Sequence, residues 1–168
     1  KEIDNLVLAI GKTEGHIDQS LFARIILDEK NGPPPEINLF NEKNNGESLL
    51  ELIEKNYIKS AHDISLGGII TAISKMCIKG NKGIELKKSK NLINEIEYFF
   101  SEDQGRYLIE VSPKNLGEVT KILDKNSVHH EELGVIIDKD IIISEKTKVT
   151  IDELKSYNTN WLTNYMES

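Results

Sequence analysis

The sequence predicts one α/β domain built on a mixed sheet. Apolar strand-like runs alternate with segments of helical periodicity along the chain. One pair of those strands is joined by a tight polar turn, which makes part of the sheet antiparallel. A length of 168 residues is enough for one domain with a real core.

Leu6-Val7-Leu8-Ala9-Ile10 is an apolar run closed by Gly11, the pattern of a buried strand. A polar loop follows, Gly11-Lys12-Thr13-Glu14-Gly15-His16, which lacks the spacing of a Walker phosphate loop. Asp18 and Ser20 stand where helix caps belong, ahead of an inner stripe of Leu21, Phe22, Ile25 and Ile26. Asn31-Gly32-Pro33-Pro34-Pro35 then breaks the chain. It reads as a crossing loop inside the domain, because neither half alone holds a full set of strands. Residues 47–55 predict a helix with Leu49, Leu50, Leu52 and Ile53 inward.

Tyr57-Ile58-Lys59-Ser60 reads as the end of a short strand. Ala61-His62-Asp63-Ile64-Ser65-Leu66-Gly67-Gly68 follows as a polar turn with two glycines. Ile69, Ala72, Ile73 and Met76 recur at helical spacing after it, Cys77 lies on the same apolar side, and Gly80 stands at the helix end. A strand, a glycine turn and a helix aim free backbone N–H groups at one point, where a phosphate or carboxylate can sit. The other reading is that the glycines only let helix and sheet approach. Leu66 cannot accept a hydrogen bond, which leaves Ser65 as the expected N-cap.

Gly83-Ile84-Glu85-Leu86 is a short strand, and residues 91–100 predict a helix with Leu92, Ile93, Ile96, Phe99 and Phe100 towards the core. Ser101-Glu102-Asp103-Gln104-Gly105-Arg106 is the densest polar cluster and leads into the strand Tyr107-Leu108-Ile109-Glu110-Val111. Ser112 and Pro113 open a helix that buries Leu116, Val119, Ile122 and Leu123. Val135-Ile136-Ile137 and Ile141-Ile142-Ile143 flank Asp138-Lys139-Asp140 as a hairpin. Thr150 with Glu153 forms a capping box for a last helix, on which Tyr157, Trp161 and Tyr165 share one face. Trp161 and Tyr165 are expected to pack on the sheet.

A net charge of −7 argues against a nonspecific grip on nucleic acid or an acidic membrane. The one cysteine cannot form an internal disulfide, which points to a reducing compartment. There is neither a membrane-span run nor a signal-peptide pattern. The start at Lys-Glu-Ile without Met suggests a fragment of a longer protein. His62, Asp63 and Ser65 crowd one turn, whereas a catalytic triad draws its members from separate elements, so no catalytic residue is assigned. His62 with Asp63, and His129 with His130, are adjacent pairs whose side chains diverge, so no metal site is assigned. Glu102, Asp103, Gln104 and Arg106 can bind a polar substrate or form an internal ion pair.

His62-Asp63-x-Ser65-x-Gly67-Gly68 resembles the His-Asp-x-Ser-Asp-Gly-Gly motif in the last domain of the large synthetase subunit of the phosphoribosylformylglycinamidine synthase family. Leu66 stands where that family has Asp. The loop from Gly11 to His16 with Gln19-Ser20-Leu21, the Gly32-Pro33-Pro34-Pro35 break, Glu102-Asp103-Gln104-Gly105-Arg106-Tyr107 and the Trp161…Tyr165 ending are similar in the same order. The resemblance implies the aminoimidazole ribonucleotide synthase C-terminal fold, in α/β/α layers. It also implies that residues 1–168 are the single C-terminal domain of a longer cytoplasmic enzyme. That enzyme uses ATP, magnesium and ammonia in purine biosynthesis, with a glutaminase subunit and a small bridging subunit as partners. The fragment itself is expected to be inactive, without a cofactor of its own, and to bind neither nucleic acid nor membrane. The resemblance makes His62, Asp63, Ser65, Gly67, Gly68, Glu102, Asp103, Gln104 and Arg106 the substrate- or anion-binding candidates, with Glu102-Asp103-Gln104 lining a second-copy pseudo-site. Alternatives are the C-terminal domain of a selenophosphate synthetase, thiamine-phosphate kinase or hydrogenase-maturation enzyme, or a stand-alone binding module.

Overall fold

The structure, a computed structural model, describes residues 2–87, 93–145 and 147–167. Among these residues seven strands form one mixed sheet: β1 (Leu6–Ile10), β2 (Ile58–Ile64), β3 (Gly83–Leu86), β4 (Arg106–Val111), β5 (His130–Ile137), β6 (Ile141–Ser144) and β7 (Thr147–Val149), in the order β2-β4-β1-β5-β3-β6-β7. The helices are α1 (Leu21–Ile25), α2 (Leu39–Glu54), α3 (Gly68–Gly80), α4 (Glu95–Phe100), α5 (Leu116–Lys125) and α6 (Ile151–Glu167).

Central β1 is buried on both faces and splits its side chains between two cores. Val7 and Ala9 join Ile69, Ile73, Met76 and Cys77 of α3, Tyr98 of α4 and Leu154 of α6. Leu8 and Ile10 join Leu52 of α2 and Val119, Ile122 and Leu123 of α5. This period-two division gives the expected α/β/α layering. Burying each such aliphatic side chain contributes roughly 1.5–3 kcal/mol. Among the described residues no helix is long and apolar enough to cross a membrane.

Several expectations need correction. β2 continues to Ile64, so His62 and Asp63 lie on an edge strand paired with Leu108 and Tyr107, not in a turn. The helix after it ends with Gly80 still helical, and left-handed Asn81 is its C-cap. α2 starts eight residues earlier than 47, on the N-cap Asn38, whose side chain accepts from Asn41 N. Its buried side chains are Asn45, Ser48 and Leu52, and Leu49 packs half-buried on the same core as expected, while Leu50 and Ile53 are exposed. On α1 the buried residue is Ala23, and Ile25 and Ile26 face outward, although Ser20 caps the helix as expected. On α4 Tyr98 is buried and Ile96 is exposed; Asn91 and Leu92 of the expected helix lie outside the described residues. Ser112 makes no side-chain cap and precedes a short 3-10 turn, Pro113–Asn115, before α5.

The expected hairpin is split by a third strand. β3 lies between β5 and β6, antiparallel to the first and parallel to the second. Ile84 N donates to Asp140 O (2.9 Å), so the turn over residues 138–140 passes across the start of β3. Gly83 permits this approach, since a Cβ there would lie 2.0 Å from Asp140 O. Trp161 and Tyr165 do not pack on the sheet; they are 61% and 70% exposed.

Candidate functional site

The two polar motifs, far apart in sequence, meet at one end of the sheet. α4 delivers residues 101–105 between the loop after β1 and the N-terminus of α3. Gly68 has φ +70°, and a Cβ on it would lie 2.5 Å from Phe99 O and 2.7 Å from Ser101 O. The helix start and this segment therefore touch backbone to backbone, which only glycine allows.

Glu102 joins two helix starts. Its Oε1 accepts from Leu21 N, at the start of α1, and from Gly67 N, at the start of α3, both at 2.8 Å. A carboxylate here satisfies orphan N–H groups and faces the positive ends of two helices. Gly67, with φ +80°, is the N-cap residue of α3, and Ser65 contributes only its carbonyl, which accepts from Gly68 N at 3.0 Å. The expected Ser65 hydroxyl cap is thus replaced by Glu102. The Ser65 hydroxyl instead helps hold the Asp63 carboxyl below its ordinary range, with His62 and Lys75 adding to the effect. His62 is half-buried on the edge strand, and its Nδ1 donates to Asp63 O (2.6 Å).

Asp103 fills the loop after β1. Its Oδ2 accepts from Glu14 N (3.0 Å) and Gly15 N (3.1 Å), and its Oδ1 from His16 N (3.2 Å). Successive N–H groups pointing inward form an anion-binding concavity, and here the anion is the chain's own carboxylate. Arg106 is 1% exposed and locks the assembly from beneath. It donates through Nε to Asp103 O, through one terminal nitrogen to Thr13 Oγ1 and through the other to Ser101 O, at 3.1, 3.0 and 2.7 Å. Burial pulls its guanidinium below the ordinary value, and the nearby Asp103 carboxylate opposes that. Ser101 Oγ is buried and has no hydrogen-bond partner among the described residues.

A cavity of about 930 Å³ opens beside this network, between the Gly11–Gly15 loop and the start of α2. Of the nine expected site residues only Asp103 and Gln104 line it. Gln104 is exposed, with one long hydrogen bond from Nε2 to Glu102 O (3.4 Å). Glu102 and Arg106 are turned inward, and His62, Asp63, Ser65, Gly67 and Gly68 lie outside the lining. Sequence reasoning missed the other wall, Asn38 at the N-cap of α2, Asn41, Glu42 and Asn45 on its first two turns, and His129 just before β5. The signal was present: Asn38 after the proline run, with Glu42 in the first turn, is a helix start. Asn45 is buried and donates to Gly105 O (2.9 Å), tying this wall to the polar cluster.

These residues do not fit a nucleotide with a metal ion. The N–H groups that would cradle phosphates at Glu14, Gly15, His16 and Gly67 already have carboxylate partners. Among the described residues no cluster of three His, Cys, Asp or Glu side chains can hold a metal.

The family model described as AIR synthase related protein, C-terminal domain, matches residues 2–145. Over all 168 residues the chain is 69% identical to phosphoribosylformylglycinamidine synthase subunit PurL of Pelagibacter ubique, of which it spans 23%. It is 34% identical over 163 residues to the same subunit of Bartonella henselae, of which it spans 22%. Among solved structures it resembles Thermotoga maritima PurL complexed with FGAR (TM-score 0.73, 20% identity, 92% of this chain and 28% of that one). It also resembles PurLQS from the same organism (TM-score 0.68, 20% identity, 92% and 26%). A third likeness is to HypE of E. coli, a hydrogenase maturation protein (TM-score 0.63, 15% identity, 89% and 50%). These structural likenesses establish the fold.

Proposed function

Because the chain belongs to the family of AIR synthase related proteins, C-terminal domain, we propose that it is the C-terminal domain of a phosphoribosylformylglycinamidine synthase. The observation that carries this reading is the 69% identity to a PurL subunit over the whole chain. The enzyme would activate the amide oxygen of formylglycinamide ribonucleotide with ATP and displace phosphate with ammonia. Phosphorylation turns a poor leaving group into a good one, and magnesium steadies the transferring phosphoryl group. ATP and magnesium would be held by other parts of the synthetase, since the cradles in this chain are occupied by Glu102 and Asp103. This domain's share is framework: the clamp of Glu102, Asp103 and Arg106 fixes one wall of the cavity. Asp103 and Gln104 are its candidate ligand-facing residues, and Gln104 offers both a donor and an acceptor.

The enzyme would be cytoplasmic, consistent with a lone cysteine buried in α3. It would take ammonia from a glutaminase subunit through a small bridging subunit. The test is ATP- and ammonia-dependent conversion of formylglycinamide ribonucleotide to the amidine by the full-length synthetase, with ADP and phosphate released. Absence of turnover by the full chain would overturn the reading. Turnover by residues 1–168 alone would overturn the framework role.

A further inference from the structure

We propose that the cavity beside the polar cluster is a binding site for an uncharged amide group, read by Asn45 and Gln104. The buried residues of its lining, Gly11, Asn45 and Asp103, form the floor. Asn45 is 7% exposed. Its Nδ2 is committed to Gly105 O (2.9 Å), which leaves Oδ1 as the atom it offers to the cavity it lines. A buried amide oxygen at the edge of an open space calls for a donor in that space. Gly11 keeps the floor this shape, since a Cβ on it would lie 2.8 Å from Gly105 O and 3.1 Å from Asn45 Nδ2. The donors for the other end of an amide stand on the walls. Asn38 spends its Oδ1 on Asn41 N (3.0 Å), so Nδ2 is what it presents. Gln104 Nε2 is held only by the 3.4 Å bond to Glu102 O, and its side chain can offer either atom. One acceptor at the floor with donors around it is the complement of an N–H and a C=O in one group.

Charge argues against the other two classes of polar ligand. The lining holds one ammonium, Lys12, against the carboxylates of Glu14, Glu36, Glu42 and Asp103, and Lys12 is paired with Glu14 at 2.8 Å. A phosphate or carboxylate entering the cavity would meet the uncancelled charge of Glu36 and Glu42. A cation would need a free carboxylate at the floor, and Asp103 already accepts from Glu14 N, Gly15 N and His16 N. This inference rests on the function proposed above, whose substrate carries amide groups.

The experiment uses the full-length synthetase. It measures affinity, without ATP, for formylglycinamide ribonucleotide and for an analogue in which an ester oxygen replaces the glycinamide N–H. The parent should bind the amide more tightly, and Asn45→Ala should reduce that preference about tenfold or more, because the acceptor that reads the N–H is gone. Gln104→Glu, at an exposed position, should weaken binding of the amide about tenfold, since a carboxylate cannot donate to the ligand carbonyl. Equal affinity of the parent for amide and ester overturns the proposal, and so does a preference that survives Asn45→Ala. Binding of the amide by Gln104→Glu as tight as the parent's, or tighter, overturns it as well. A parent with no ammonia-supported turnover of the ribonucleotide overturns the functional reading instead.

Discussion

Glu102 Oε1 lies 2.8 Å from the backbone nitrogen of Gly67, and the same oxygen accepts from Leu21 N. One carboxylate thus caps two helices that are separated along the chain by the proline break, α2 and β2. Glu102→Ala removes both bonds and the charge facing two helix starts. The expected cost is about 2–3 kcal/mol, since a single cap is worth about 1 kcal/mol and a bond to a charged group somewhat more. Glu102→Gln keeps an acceptor oxygen and should cost less. Urea unfolding of both variants checks the order; a Glu102→Ala cost within about 0.5 kcal/mol of zero would make the carboxylate dispensable.

Gly68 is where helix and polar segment meet. Gly68→Ala combines φ +70° with a Cβ placed against the backbone oxygens of Phe99 and Ser101. Gly67→Ala, at φ +80°, meets the Thr71 side chain, whose Oγ1 can rotate away while its Cβ needs a small shift. Gly68→Ala should therefore be the worse of the two, by at least about 1 kcal/mol, because backbone cannot yield as a side chain can. Thermal unfolding of the two variants provides the comparison, and the reverse order would show that the α3 start relaxes away from α4.

Glu110 supplies a pH dependence. Burial alone would raise its carboxyl, but donors from Asn5 Nδ2 (2.8 Å), Ser60 Oγ (2.7 Å) and Glu2 N (3.1 Å) outweigh that and hold it below its ordinary range. With the folded value below the unfolded one, its contribution is complete above the unfolded value of about 4.3. That contribution is lost as pH falls through the folded value. Glu110→Gln should cost about 1–3 kcal/mol at neutral pH, and the gap to the parent should narrow by about pH 3. Urea unfolding at the two pH values measures it; a gap that stays constant or widens in acid contradicts the assignment.

The fold was legible wherever one periodicity decided it. β1, β4, β3 and α3 follow from their own apolar spacing. Ile25, Ile26, Leu50, Ile53 and Trp161 were misread because amphipathic spacing shows that a face is apolar without showing what covers it. The insertion of β3 into the apparent hairpin depends on Gly83 meeting Asp140, a contact between distant segments that local pattern does not carry. The same holds at the site. The density of the 101–106 cluster was plain in the sequence. That Glu102 reaches Gly67 and Leu21, and that Asp103 closes the Gly11–Gly15 loop, are long-range facts. Ser65 was the nearest cap in sequence, but not in space.

This chain's own carboxylates fill its anion-ready positions, which makes the polar cluster a framework. Titration of the isolated domain with inorganic phosphate, following the amide signals of Gly15, His16 and Gly67, tests it most directly. No saturable movement is expected up to tens of millimolar, an order-of-magnitude bound for a weak helix-terminus site. The Glu102→Ala, Asp103→Ala double variant, if it remains folded, should gain such movement. A saturable shift of Gly67 in the parent at about 1 mM phosphate or below would contradict the claim and return the turn to the binding site.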